Sequence, residues 1–255
     1  MTQWIDPRRT SLFLDIDGTL LDFAATPEQV WVDPRLVTCL LVLHQKLSGA
    51  LAFVSGRTIE DIDRLFQPLR FAAAGVHGAE IRVAPDAQIR TAAMDLLPEI
   101  LWVRLSHVIS EFPGVFAENK AFAFAVHYRN VPECKTALTK AVETLAVEAK
   151  DPSLALLHGH CVLEFKRRAF EKGMAIDHLM LQPAFEGRAP IFIGDDATDL
   201  PGFAAVLRRG GRAYSVGRSM EGLTGAFETP QEVRDWLYGL AAQIAPAPGE
   251  TGSPA

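Results

Sequence analysis

Two carboxylates one residue apart, Asp15 and Asp17, stand where the apolar run Ser11-Leu12-Phe13-Leu14 gives way to Gly18-Thr19. The run reads as a buried strand, and a Gly followed by a small hydroxyl residue lets the chain turn tightly. Ligands of open α/β sheets sit just beyond the carboxyl ends of parallel strands. Acids placed there are poorly sited for stability and well sited for chemistry. They can hold a hard cation such as Mg²⁺, which takes oxygen ligands, and one of them can attack as a nucleophile. A calcium loop also begins Asp-x-Asp, but it needs Gly at its sixth position and Glu at its twelfth. Counted from Asp15, those positions hold Leu20 and Thr26.

A second acidic pair, Asp195-Asp196, follows the apolar run Ile191-Phe192-Ile193-Gly194, with Asp199 one helical turn later. Read alone, Gly-Asp-Asp is also compatible with a turn and a helix N-cap, because acids are favoured near the positive end of a helix. That reading suits Asp199 and Asp196. It suits Asp195 poorly if Asp15 and Asp17 lie on a neighbouring strand, because three crowded carboxylates repel unless a cation joins them. Between the pairs, the apolar stretch 50–54 ends in Ser55-Gly56-Arg57. A hydroxyl and free N–H groups at a strand end, just before a helix, suit a phosphate oxygen. Thr58-x-x-Asp61 is a capping pattern that supports the helix start. Lys172 opens another apolar stretch (Met174, Ala175, Ile176, Leu179), and a lysine at a helix start opposes the helix dipole. A phosphate or carboxylate partner would explain it. Taken singly, Ser55 is equally an ordinary turn serine and Lys172 a solvated surface lysine.

In order, these pieces resemble the haloacid dehalogenase-type phosphohydrolase superfamily. The resemblance implies Mg²⁺-dependent phosphoryl transfer through an aspartyl-phosphate, with Asp15 as nucleophile and Asp17 as general acid, then base. Ser55 and Lys172 would hold phosphoryl oxygens, and Gly56 and Arg57 would lie against the substrate. Asp195, Asp15 and the main-chain carbonyl of Asp17 would hold Mg²⁺, with Asp196 as an outer ligand or an orienting residue. The physics agrees with this assignment: phosphoryl transfer needs its equatorial charge neutralised and an in-line nucleophile, and an acid serving the leaving alcohol must carry a proton.

Composition bounds the rest. The chain has 255 residues, 49% of them hydrophobic, enough for a substantial core. A net charge of −6 leaves no basic footprint for nucleic acid. Cys39, Cys134 and Cys161 are scattered and odd in number, which fits a reduced compartment better than a disulfide framework. The first ten residues lack an apolar h-region and no stretch is long enough to span a bilayer. The expectation is a cytoplasmic monomer with a small-molecule substrate and no membrane or nucleic-acid partner. No Walker A pattern is present, which argues against a P-loop nucleotidase. Residues 245–255 are rich in Pro, Gly, Ala and Ser, and disorder is expected there.

The elements that must position these residues follow from periodicity. Asp33-Pro34 opens a helix carrying Leu36, Val37, Leu40, Leu41 and Leu47. Residues 71–74 form a short strand before Gly75-Val76-His77-Gly78. A helix is expected over 94–112, paired strands over 115–118 and 122–129, and a helix over 132–150. A hairpin of 154–157 and 161–166 turns around His158-Gly159-His160. A closing helix is capped by Thr229-Pro230-x-Glu232. The expected fold class is α/β: a Rossmann-like parallel-sheet core (1–97 and 170–255) with an inserted α+β cap domain (98–169). A cap excludes water while the leaving group departs, and its residues can select the substrate.

The insert carries unusual polar residues. Glu118-Asn119-Lys120 ends one strand region and His127-Tyr128-Arg129 the next, patterns also compatible with solvated strand edges. Glu164 interrupts the apolar strand Cys161-Val162-Leu163-Glu164-Phe165, where a charge needs a partner or water. With Lys172-Gly173, Gly75-x-His77-Gly78-Ala79-Glu80 and Gly194-Asp195-Asp196-x-Thr198-Asp199, these segments resemble trehalose-6-phosphate phosphatases from about residue 12 to 203. The resemblance implies that Glu118, Lys120 and Glu164 bind glucose hydroxyls, with Arg129 and His77 as further carry-overs, either substrate-binding or structural. Three positions depart from the pattern. Leu200 stands where Glu is usual, which would loosen the groups that order the metal ligands. Arg167 and Ala169 replace Pro and Gly on the return to the core. The expected activity is hydrolysis of trehalose 6-phosphate. The alternatives are another sugar phosphate (of the sucrose-phosphate or glucosyl- or mannosyl-glycerate phosphate type), with a phosphomutase more distant, and a non-catalytic sugar-phosphate sensor.

Overall fold

The apolar runs become the strands of one sheet, because each is buried on both faces by helices. The computed structural model describes residues 5–23, 30–91, 96–159 and 161–244. His160, Met94 and the tail 245–255 lie outside them. In chain order the elements are β1 (Thr10–Leu14), α1 (Pro34–Lys46), β2 (Leu51–Val54), α2 (Ile59–Leu65), β3 (Ala72–Gly75), β4 (Glu80–Arg82), β5 (Arg90–Thr91), α3 (Glu99–Ser110), β6 (Phe116–Asn119), β7 (Ala123–His127), α4 (Lys135–Ala149), β8 (Leu154–Gly159), β9 (Val162–Arg167), α5 (Lys172–Leu179), β10 (Ala189–Gly194), α6 (Leu200–Arg208), β11 (Arg212–Val216), β12 (Gly225–Phe227) and α7 (Pro230–Ile244).

The core sheet runs β12-β11-β10-β1-β2-β3-β4-β5. It is parallel from β12 to β3 and antiparallel beyond. Strand order reverses around β1, which has β2 on one side and β10 on the other. Such a switch point opens a crevice at the carboxyl ends of the strands. Leu12, Phe13, Leu14, Phe53, Phe192 and Ile193 are fully buried there, each contributing roughly 1.5–3 kcal/mol through removal from water.

Between β5 and α5 the chain builds a second, antiparallel sheet, β6-β7-β9-β8. One face of that sheet packs on α3 and α4 through Leu101, Leu105, Phe124, Val126, Leu138, Val142 and Phe165, a hydrophobic core separate from the first. A small apolar seam of Val76, Ala79, Phe122 and Ala123, backed by Phe170, lies where the two parts meet. The fold is therefore an α/β parallel-sheet core with an inserted α+β unit, as expected.

Three local expectations change. The helix expected from residue 94 begins only at Glu99. Pro98 is its N-cap at φ −62°, ψ 134°, and the residue before a proline is pushed out of the helical region. The helix expected over 132–150 is a 3-10 turn, Pro132–Cys134, followed by α4. In α1 the buried stripe is Leu36, Cys39, Leu40 and Leu43, and Leu41 faces outward at 42% exposure.

Candidate active site

Strand ends bring the acids together. Asp15 follows β1 and Asp195 follows β10, and neighbouring pairing of the two strands sets them side by side. Asp15, Asp195 and Asp199 each offer a carboxylate oxygen within 4.8 Å of the others. One ammonium faces them: Lys172 Nζ, on the first residue of α5, donates to Asp15 Oδ1 at 2.7 Å and to Asp199 Oδ1 at 2.7 Å. The cost of a cation at a helix start is thereby offset by two buried anions. Burial alone would lower the Lys172 pKa, but Asp15 and Asp199 reverse that and hold it above the usual lysine range. Burial raises Asp15 well above the usual carboxylate range; Lys172 opposes this, while Asp199 and Asp195 add to it. Burial and the charge of Asp199 push Asp195 up to about 7. Three carboxylates against one lysine leave the cluster short of positive charge.

The turn after β1 depends on Gly18. Its φ is +76°, and a Cβ there would come within 2.2 Å of Asp195 Oδ2. Thr19 Oγ1 lies 3.4 Å from both Asp15 Oδ2 and Asp195 Oδ1 and can donate to either. Asp199 accepts the N–H groups of Asp195 and Asp196 at 3.0 Å each. Asp196 stands outside the carboxylate cluster, where it caps the 3-10 turn Ala197–Asp199 by accepting from Ala197 N at 2.5 Å. Leu200 opens α6, 51% exposed.

The second acid is held differently. Arg57 grips Asp17 with two hydrogen bonds of 2.6 Å, from Nε to Oδ2 and from Nη2 to Oδ1. Burial works against the Arg57 charge, but Asp17 outweighs it and holds the guanidinium above its usual pKa. Ser55 is buried and its Oγ accepts the Arg57 N–H at 3.2 Å. Beside it, Val76 and His77 adopt left-handed φ of 46° and 58°, a conformation costing on the order of 1–3 kcal/mol for such residues. The turn lays the His77 ring over Gly56, where a Cβ would meet it at 3.0 Å.

The inserted unit completes the site. Glu164, on β9, sits 2.7 Å from His77 Nε2, with both side chains buried. Lys120 Nζ donates to the Gly56 carbonyl at 3.0 Å and lies 3.5 Å from Glu164 Oε1 and 3.6 Å from Glu118 Oε2. Burial would raise Glu164, yet Lys120 and His77 hold it well below the usual carboxylate range. Arg129 packs over the Phe23 ring at 4.6 Å.

The candidate catalytic, metal-holding and substrate-binding residues line one cleft: Asp15, Asp17, Ser55, Gly56, Arg57, His77, Glu118, Lys120, Arg129, Glu164, Lys172, Asp195 and Asp196. His127 and Cys161 line it too, and Asp199 and Thr19 stand behind it. Asp199 was readable from its spacing to Asp195, but its capping pattern already gave it a sufficient local role. The hard oxygen donors and their deficit of positive charge suit a divalent cation such as Mg²⁺. A cleft with carboxylates, one lysine and a buried serine at its floor, and two acids and a lysine on its wall, can neutralise a phosphoryl group at one end and bind hydroxyls at the other.

A trehalose-phosphatase family model matches residues 13–229. Over 227 residues the chain is 39% identical to a trehalose-6-phosphate phosphatase of Escherichia coli (strain K12), covering 88% of this chain and 84% of that one. The structure of the C-terminal domain of the C. albicans trehalose-6-phosphate phosphatase superposes with a TM-score of 0.83 at 19% identity, covering 92% of each chain. A Bacteroides thetaiotaomicron phosphatase of the haloalkanoate (HAD) enzyme superfamily has a TM-score of 0.58 at 16% identity, over 94% of this chain and 97% of that one.

Proposed function

Because this chain belongs to the trehalose-phosphatase family of phosphoric monoester hydrolases, we propose that it hydrolyses trehalose 6-phosphate to trehalose and phosphate through an aspartyl-phosphate. The observation that carries the substrate is the set Glu118, Lys120 and Glu164, which shares one cleft with Asp15 and Asp17. Carboxylates accept from sugar hydroxyls and lysine donates to them, so this wall matches a sugar as the floor matches a phosphate.

Asp15 attacks phosphorus in line, and the bond from phosphorus to the sugar oxygen breaks. Asp17 gives its proton to the departing oxygen, then takes one from the water that attacks the phosphoaspartate. Phosphate leaves as the bond to Asp15 breaks, and both acids return to their starting state. Asp17 serves as an acid only after Arg57 releases it, and a substrate anion competes for that guanidinium. Lys172 and Ser55 hold phosphoryl oxygens. Mg²⁺, when bound, neutralises charge on the phosphoryl oxygens and keeps Asp15 ionised. The carboxylates of Asp15 and Asp195 and the main-chain carbonyl of Asp17 would hold it, with Asp196 outside them. Residues 98–169 act as the cap that excludes water and carries the sugar-binding groups.

Phosphate release decides the matter. Trehalose 6-phosphate, glucose 6-phosphate, sucrose 6-phosphate and 4-nitrophenyl phosphate are compared with Mg²⁺ and with EDTA. Selective, EDTA-sensitive release from trehalose 6-phosphate is expected. Release from the other esters alone discards the substrate and keeps the chemistry. Folded protein that releases phosphate from none of them, yet binds trehalose 6-phosphate tightly, is a sensor.

A further inference from the structure

His127 carries a buried nitrogen without a hydrogen bond. Its Nε2 is buried and makes no hydrogen bond among the described residues, and an unpaired buried polar atom is costly. Glu118 Oε2 stands 3.6 Å away, too far for a hydrogen bond but within ion-pair reach. The approach follows from strand register. Phe116 pairs with His127 and Glu118 with Ala125 across β6 and β7, so His127 and Glu118 are diagonal neighbours on one face, within reach of long side chains. Phe116 stacks on the imidazole at 4.6 Å and 14°, fixing its plane. The side chains of Glu118 and His127 line the cleft. Glu118 is drawn below the usual carboxylate range: burial raises it, while His127 and Lys120 more than reverse that.

We infer that His127 is a positioning residue for sugar recognition, its Nε2–H aligning the Glu118 carboxylate and closing onto it when a sugar hydroxyl binds the other oxygen. This rests on Glu118 binding a sugar hydroxyl, as proposed above. A nitrogen facing a carboxylate is the protonated one, so the imidazole acts as donor.

The test uses the full chain with Mg²⁺. His127→Phe keeps the stack on Phe116 and removes the donor. It should raise KM for trehalose 6-phosphate about tenfold, the loss typical of a hydrogen bond to a charged group, with kcat within about twofold of wild type. His127→Gln, which restores a donor, should recover most of the loss. In a double-mutant cycle, adding Glu118→Gln to His127→Phe should cost no more than the worse single change. An unchanged KM in His127→Phe, additive effects in the cycle, or an equal loss on 4-nitrophenyl phosphate would each overturn the inference. In the wild type, the ¹⁵Nε2 resonance of His127 should shift on saturation with trehalose, and a static resonance counts against the role even if the variants fail to fold. If the wild type cleaves a different sugar phosphate, the substrate reading fails, and the same comparison on that sugar still decides the role of His127.

Discussion

At the scale of residues, Asp15 is where the proposed chemistry and stability conflict. Burial and two neighbouring carboxylates raise its pKa well above the usual range despite Lys172. A carboxyl whose folded pKa is raised destabilises the folded state once pH climbs above its unfolded value. Asp15→Asn should therefore lower turnover by at least about a thousandfold, while its Tm in metal-free buffer at neutral pH equals or exceeds that of wild type. A variant that still turns over removes Asp15 as the nucleophile; a falling Tm removes the charge-crowding account. Asp15, Asp17 and Asp195 were legible because acids at the ends of apolar strands have no good local explanation. The Arg57–Asp17 pair was not legible, because nothing local joins two residues on different strand ends. Asp199 was legible only in part, for the opposite reason: its local capping role was true and incomplete.

At the scale of elements, the connections carry what the motifs did not. Arg167 stands at the end of β9. Its guanidinium donates to Asp151 and to Ser153 Oγ at 2.8 Å, and to the Leu96 carbonyl at 3.1 Å. It thus ties the outgoing connection before α3 to the returning strand. Arg167→Ala should cost about 1–2 kcal/mol in urea unfolding and speed hydrogen exchange at residues 96, 97, 151 and 153. Unaltered exchange there would deny the tie. Most element types were legible because apolar periodicity decides them, including the paired strands of the insert. The start of α3 was misplaced because apolar residues continue N-terminal to Pro98, and periodicity does not register the proline's veto.

At the scale of the whole molecule, the core and the inserted unit meet through a buried polar contact beside the apolar seam. His77 belongs to the core and Glu164 to the insert, 2.7 Å apart and buried. Lys120 and His77 depress Glu164 below its ordinary value of 4.5. A depressed carboxyl contributes stability that is fully present above its unfolded pKa and is lost as pH falls from there toward the folded one. Melts from pH 7 to pH 3 should therefore fall more steeply for wild type than for Glu164→Gln; parallel curves would show that the junction draws no stability from this charge. The order of the core sheet has another consequence. β1 finds β2 early, but its other neighbour is β10, Thr10 lying opposite Ala189. On a ribosome moving at ~5–20 residues per second, that partner emerges on the order of ten seconds or more later. Until then the inner edge of β1 is open, and the inserted unit, with its own core, is complete in sequence before the sheet that bears it can close. A nascent chain stalled before β10 should thus hold Asp15 without Asp195, the cleft wall of Glu118, Lys120 and Glu164 assembled ahead of the carboxylate floor, and an exposed strand edge for chaperones to shield.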